Sequence, residues 1–257
     1  PGPARVAVHG SGETRKAAHA LMDRGAIGWY LGPRTNAASS NETELSRSSW
    51  CVPPGWIEND DEWLVHCTRA CSGPWPGQTS DQYRDELLLC DDASARQSMR
   101  TPLETLRRIL RTRRLIASST ASDSRWPVVC FSARPLAELL RQRSFRSHLH
   151  RWDYEPYGVA IRKSACMAAG FQPVIYGERT DRGLLAEHDQ FRFQSTGKTF
   201  DWTAEREWRC LGDVDLEAFA SDDLRVLVPT REDAGTLSPP TVAANFPISI
   251  VGDFESR

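Results

Sequence analysis

From Trp63 onward the spacing of apolar residues switches repeatedly between a period of two and a period near 3.6, which predicts strands interleaved with helices. Trp63-Leu-Val-His-Cys-Thr68 reads as a strand that brings His66 and Thr68 to one face and Val65 and Cys67 to the other. Helices are predicted over about Ser80 to Leu89 and Thr101 to Thr112; in the second, Leu103, Leu106, Ile109 and Leu110 form an apolar stripe among arginines. Pro127-Val-Val-Cys-Phe-Ser132 is a compact apolar strand, followed by a helix from Pro135 to Gln142. Further strands are predicted at Tyr157 to Ile161, Pro173 to Tyr176 and Arg225 to Val228, with a helix near Ala165 to Gly170. Glu205-Arg-Glu-Trp-Arg209 alternates as a strand should, with Glu205, Glu207 and Arg209 on one face. The polar stretch from Gly177 to Phe200 is long and irregular, and such segments inside a compact domain are more often functional than accidental.

Ahead of this core, Arg5 to His9 and Ile27 to Leu31 predict strands flanking a helix from Thr14 to Arg24, a short β-α-β unit with Gly10-Ser11-Gly12 at the helix start. Those glycines are consistent with a tight turn or with a phosphate cradle. Pro33 to Ser49 is rich in Asn, Ser, Thr and Glu, and Pro53-Pro54-Gly55 stiffens the chain after it. The organisation expected is therefore a segment and linker over 1–55, one α+β domain over 56–235, and a peripheral tail over 236–257. No internal repeat is visible.

A formal net charge of -2 gives no general attraction to nucleic acid or anionic lipid. No run approaches the roughly 20 apolar residues of a membrane-spanning helix, and the start lacks a signal-peptide layout, so a cytoplasmic protein without membrane partners is expected. Seven scattered cysteines suit free thiols; Cys67 and Cys71 lack a second pair at zinc-ligand spacing, so no metal is expected. The basic face formed by Arg107, Arg108, Arg111, Arg113 and Arg114 is either a solvated helix face or a phosphate-docking surface. Two carboxylates at neighbouring same-face positions repel, which raises the pKa of one unless a cation such as Arg209 compensates.

The order of these parts resembles the ADP-ribosyltransferase fold. His66-Cys-Thr68 with Leu106-Arg-Arg-Ile-Leu110 is similar to the opening of DarT-type transferases and of their RNA 2′-phosphotransferase relatives. Val129-Cys-Phe-Ser132, Tyr157 to Ile161, Pro173-Val-Ile-Tyr176 and Glu205 to Arg209 resemble the AbiGi group of phage-resistance proteins. The resemblance spans about 63–228, and more than thirty residues separate its histidine strand from the Leu-x-x-Ile-Leu helix.

That resemblance implies two small, mostly antiparallel sheets with flanking helices, NAD bound in the cleft between them, and cleavage at the nicotinamide ribose. Glu207 would stabilise the positive charge developing there, and Glu205 would orient or deprotonate the acceptor. His66 would donate a hydrogen bond to a ribose hydroxyl, with Thr68 positioning it or sharing that ribose. Arg69 or Arg125 would meet the pyrophosphate, Ser132 would take the place of a strand-end serine or threonine, and Tyr157 or Tyr176 would stack on nicotinamide. The acceptor is left open among nucleic acid, protein and small molecule; a toxin or antiphage effector of this kind implies a neutralising antitoxin. The residues also allow a non-catalytic nucleotide-binding or sensor protein whose Glu-x-Glu strand is a salt-bridged edge, or an NAD hydrolase or phosphotransferase on the same fold. The discriminating geometry is whether His66 and Glu207 meet in one pocket with an arginine between them; placed on opposite faces of the domain, they would exclude the transferase reading.

Overall fold

The computed structural model describes residues 62–71, 73–89, 100–119, 125–146, 151–196, 202–237 and 246–252, together with two strands nearer the start. In chain order the elements are β1 (Arg5–His9), β2 (Ile27–Leu31), β3 (Trp63–Cys67), α1 (Ser80–Leu89), α2 (Pro102–Thr112), β4 (Arg114–Leu115), β5 (Val128–Ser132) and α3 (Leu136–Arg141). There follow β6 (Phe145–Arg146), β7 (Arg151–Trp152), β8 (Gly158–Arg162), α4 (Lys163–Ala168), β9 (Gln172–Pro173), β10 (Ile175–Gly177) and β11 (Phe193–Ser195). The last are β12 (Glu207–Leu211), β13 (Val214–Asp215), β14 (Leu224–Val228), α5 (Arg231–Leu237) and β15 (Ile248–Ile250).

The fold is α+β, built on a seven-stranded sheet in the order β15-β14-β8-β3-β5-β12-β9. Its neighbours run antiparallel except β14 and β15, which are parallel. Both faces are covered, so the central strands read as apolar runs. On one face Leu64, Val129, Phe131, Val159, Ile161 and Val226 pack with Leu106 and Leu110 of α2, Cys166 of α4 and Leu237 of α5. On the other, Trp63, Val65, Ala160 and Leu227 pack with Leu136, Leu139 and Leu140 of α3.

α2 shows how local sequence fixes an element. The Thr101 side chain caps it by accepting from the Glu104 amide, Pro102 occupies its first turn, and Arg113 ends it in the left-handed region at φ 55°, its amide returning to the Ile109 carbonyl. Such an N-cap contributes about 1 kcal/mol. The predicted stripe turns inward as expected, with Leu106 and Leu110 fully buried and Leu103 and Ile109 packed against the core.

Three features differ from what the sequence led us to expect. In place of two small sheets the core holds one seven-stranded sheet, but β3 and β5 share a single register pair, Val65 with Ser132, so four strands and three strands meet at a narrow seam. The tail expected to be peripheral supplies the edge strand β15 and the fully buried Val251. Within Gly177 to Phe200, β11 pairs parallel with β10, and short 3-10 turns cover Asp181–Leu184 and Glu187–Arg192. β1 and β2 pair in parallel as the β-α-β reading requires; the expected helix at Thr14 to Arg24, its glycine turn and the linker lie outside the described residues. Among the described residues no helix is long and apolar enough to cross a membrane.

Candidate active site

Glu207 opens β12 and lies opposite Ser132 of β5, which lies opposite Val65 of β3. Directly opposed residues point to the same face, so Glu207, Ser132 and Val65 form a row across the seam on the α3 side of the sheet. Two strand spacings place the Val65 and Glu207 backbones about 10 Å apart.

Glu207 is held by Arg209, two residues on and on the same face. Arg209 Nε donates to Glu207 Oε1 at 2.9 Å and Nη2 to Oε2 at 3.3 Å. The same guanidinium donates to the Phe191 and Phe193 carbonyls at 3.2 and 3.1 Å and to Gln194 Oε1 at 2.7 Å. All five N–H groups of the planar fork are thereby matched, and the side chain is only 1% exposed. Arg209 thus ties the segment from Phe191 to Gln194 to the strand bearing Glu207. Tyr176 also reaches this point: its hydroxyl accepts from the Glu207 amide at 3.4 Å.

Glu205 is not part of the strand. It ends a 3-10 turn over Trp202–Glu205, and Arg206 at φ 45° breaks the alternation. The break is held from β5: Ser132 Oγ donates to the Glu205 carbonyl at 2.8 Å, and the Ala133 amide donates to the Arg206 carbonyl at 3.0 Å. Burial, followed by repulsion from Glu207 and Asp153, holds the Glu205 carboxyl above its ordinary value, with Arg69 and Arg134 opposing the shift. Tyr154, half-buried nearby and in the field of Glu205, is pushed up to about 12, so its phenol stays protonated. The Cys130 and Cys67 thiols are each pushed up to about 12 by burial, which removes them as nucleophiles near neutral pH.

His66 alternates to the α2 side of the sheet, where its ring lies 5.4 Å from that of Phe131. A continued ladder would set Cys67 opposite Cys130, but the pairing stops after Val65, and His66 Nδ1 lies 2.8 Å from the Cys130 carbonyl. A carbonyl only accepts, so Nδ1 carries the proton. Burial lowers the imidazole pKa, and Arg69 lowers it further, leaving a neutral ring. Nε2 is then an acceptor, the reverse of the donor role expected from sequence. The charge of Arg69 acts on both His66 and Glu205. His66 and Glu207 therefore come to the same seam from opposite faces of the sheet and do not share a face, which is not the convergence that the sequence reading required; Arg69 is exposed and donates to the Asp153 carbonyl at 3.4 Å.

The remaining candidates separate. Thr68 is buried, its hydroxyl donating to the Pro102 carbonyl at 2.9 Å, so it joins β3 to α2 and does not face the acid pair. Ser132 holds the bend before Glu207. Tyr157 packs against the α2-side core and reaches Asp233 at 3.4 Å. Arg125 precedes β5 and sits at the end of the strand remote from Ser132. Sequence reasoning did not single out Arg134, Asp153 or Tyr154, whose separations in the chain carry no periodic signal; Arg134 meets Glu205 from the end of β5, and Asp153 and Tyr154 through the return of the chain after α3. Among the described residues no group of three or more His, Cys, Asp or Glu side chains is arranged to hold a metal. No protein family, curated protein or solved structure matches the chain.

Proposed function

We propose that the chain is an NAD-dependent ADP-ribosyltransferase whose chemistry is centred on Glu205 and Glu207. The observation that carries this reading is the half-buried acid pair at the parting of β3 and β5, with a neutral His66 at the same parting and the charge of Arg69 acting on both His66 and Glu205. In the reaction the bond between nicotinamide nitrogen and ribose C1′ breaks, its electron pair leaving with nicotinamide. The oxocarbenium-like sugar is stabilised by the Glu207 carboxylate, held in one orientation by Arg209. A lone pair of the acceptor forms the new bond to C1′, and its proton passes to Glu205, whose pKa burial holds above the ordinary carboxylate value. Arg69 supplies positive charge for the pyrophosphate, and His66 accepts from a ribose hydroxyl.

A second reading is favoured by the bidentate Glu207–Arg209 contact and by the placement of His66 on the opposite face: a nucleotide-binding protein in which that ion pair is a structural brace. Nicotinamide release from NAD separates the two. The transferase predicts turnover by the parent chain that falls by about 100-fold or more in Glu207→Gln, the scale of losing one charge-stabilising group. Absence of turnover in the parent, or equal rates in the two proteins, assigns the binding role instead.

A further inference from the structure

Of the five arginines along and just after α2, three are matched by acids: Arg107 with Glu104, Arg113 with Glu217, and Arg114 with Asp213. Arg108 and Arg111 have neither an ion pair nor a side-chain hydrogen bond among the described residues. Arg108 lies over the ring of Trp75, its guanidinium carbon 5.4 Å from the centroid, and Arg100 lies 5.0 Å from the same centroid and 4.9 Å from that of Tyr83. Trp75 is itself buried, 8% exposed. Its amide donates to Gln78 Oε1, which fixes the loop carrying it.

Among the described residues, the acid that meets this cluster is already used. Glu86 accepts from Arg100 Nη2 at 2.7 Å through Oε1 and from Gln78 Nε2 at 2.7 Å through Oε2. Two guanidiniums on one indole repel each other, and the charge of Arg100 acts on Arg108. The Arg108 pKa is lowered first by partial burial and then by Arg111, with Glu86 opposing and Arg100 adding to the shift.

A partly buried guanidinium over an aromatic ring, without an ion pair among the described residues and beside two further arginines, is a fork prepared for a planar or tetrahedral oxyanion. The geometry points to a phosphate-binding site formed by Arg108, Arg111 and Arg100 around Trp75, taking a pyrophosphate or a nucleoside diphosphate. It borders the loop leaving β3: the Cys71 amide donates to the Arg100 carbonyl at 3.0 Å, and Thr105 Oγ1 donates to the Arg69 carbonyl at 2.7 Å. The site involves neither Glu205 nor Glu207 and does not require turnover.

Calorimetric titration of the full chain with inorganic pyrophosphate, and separately with ADP, tests it. Saturable pyrophosphate binding is expected, weakened about tenfold or more in Arg108→Gln, partly retained in Arg108→Lys, and unchanged in Glu207→Gln. Tighter binding of ADP than of pyrophosphate, with the same dependence on Arg108, assigns the site to a nucleotide; equal affinities assign it to the free anion. Pyrophosphate binding that is absent in the parent, or equal in the parent, Arg108→Gln and Arg108→Lys, overturns the proposal.

Discussion

The two parts of the central sheet are stabilised by different physics. In the four-strand part, β8 and β14 are almost wholly buried, and what they bury is aliphatic: Val159, Ala160, Ile161, Val226, Leu227 and Val228. In the three-strand part, the α3-side face of β12 carries Glu207 and Arg209, and β5 presents Cys130 and Ser132 beside them. There the space that aliphatic side chains fill elsewhere is occupied by a guanidinium with five acceptors. Burial of apolar surface is non-directional, whereas a matched ion pair fixes one geometry. The first part is a platform, and the second is an oriented charged site set into its edge.

If that contrast holds, the largest single loss of stability follows from removing the guanidinium. Arg209→Met leaves Glu207 partly buried without its cation and frees the Phe191 and Phe193 carbonyls, a loss on the order of 3–5 kcal/mol. Urea unfolding should show a lower midpoint, and the double variant Arg209→Met/Glu207→Gln should recover part of it. A single variant within about 0.5 kcal/mol of the parent, the range of an ordinary surface change, breaks the comparison.

The platform has a different weak point. A Cβ at Gly158 would stand 2.2 Å from the His66 carbonyl, so β8 can lie against β3 only with glycine there. Gly158→Ala should cost about 1–3 kcal/mol through forced backbone movement. Because it presses on the strand bearing His66, it should also weaken the hydrogen bond from His66 Nδ1 to the Cys130 carbonyl, visible as altered exchange of the imidazole proton in NMR. Full stability in this variant means that β3 and β8 are not the rigid part.

Much of the platform was legible from sequence because its signals are local. The stripe in α2 and the apolar strand ending at Ser132 follow from side-chain spacing alone. β15 was not legible: Ile248-Ser-Ile250 is three residues long and follows a proline, and only its pairing with Val226 to Val228 makes it a strand. The site was half legible. Alternation placed Glu207 and Arg209 together, but it put Glu205 in the strand, where Arg206 at φ 45° removes it. Alternation also put His66 and Thr68 on one face without revealing that this is the face away from Glu207; that depends on the register of Val65 with Ser132, a long-range fact.

The smallest expected effect tests the seam from both sides at once. Glu205 has a folded pKa raised above its ordinary 4.5, so between that value and the folded one the native state binds more protons than the unfolded chain, and stability falls as pH rises. Glu205→Gln removes this penalty, and its stability relative to the parent should improve as pH increases from 4.5. His66 has a folded pKa lowered below 6.5, so in the window beneath that value the unfolded chain binds more protons, and stability is lost as pH falls. His66→Asn keeps an N–H donor for the Cys130 carbonyl while removing the titration; relative to the parent it should gain as pH decreases from 6.5. Thermal melts across this range should therefore give difference curves of opposite slope. A flat difference curve for either variant would mean that the group is as well solvated in the native state as in the unfolded chain, and the narrow parting of β3 and β5 would then be open to water at that group.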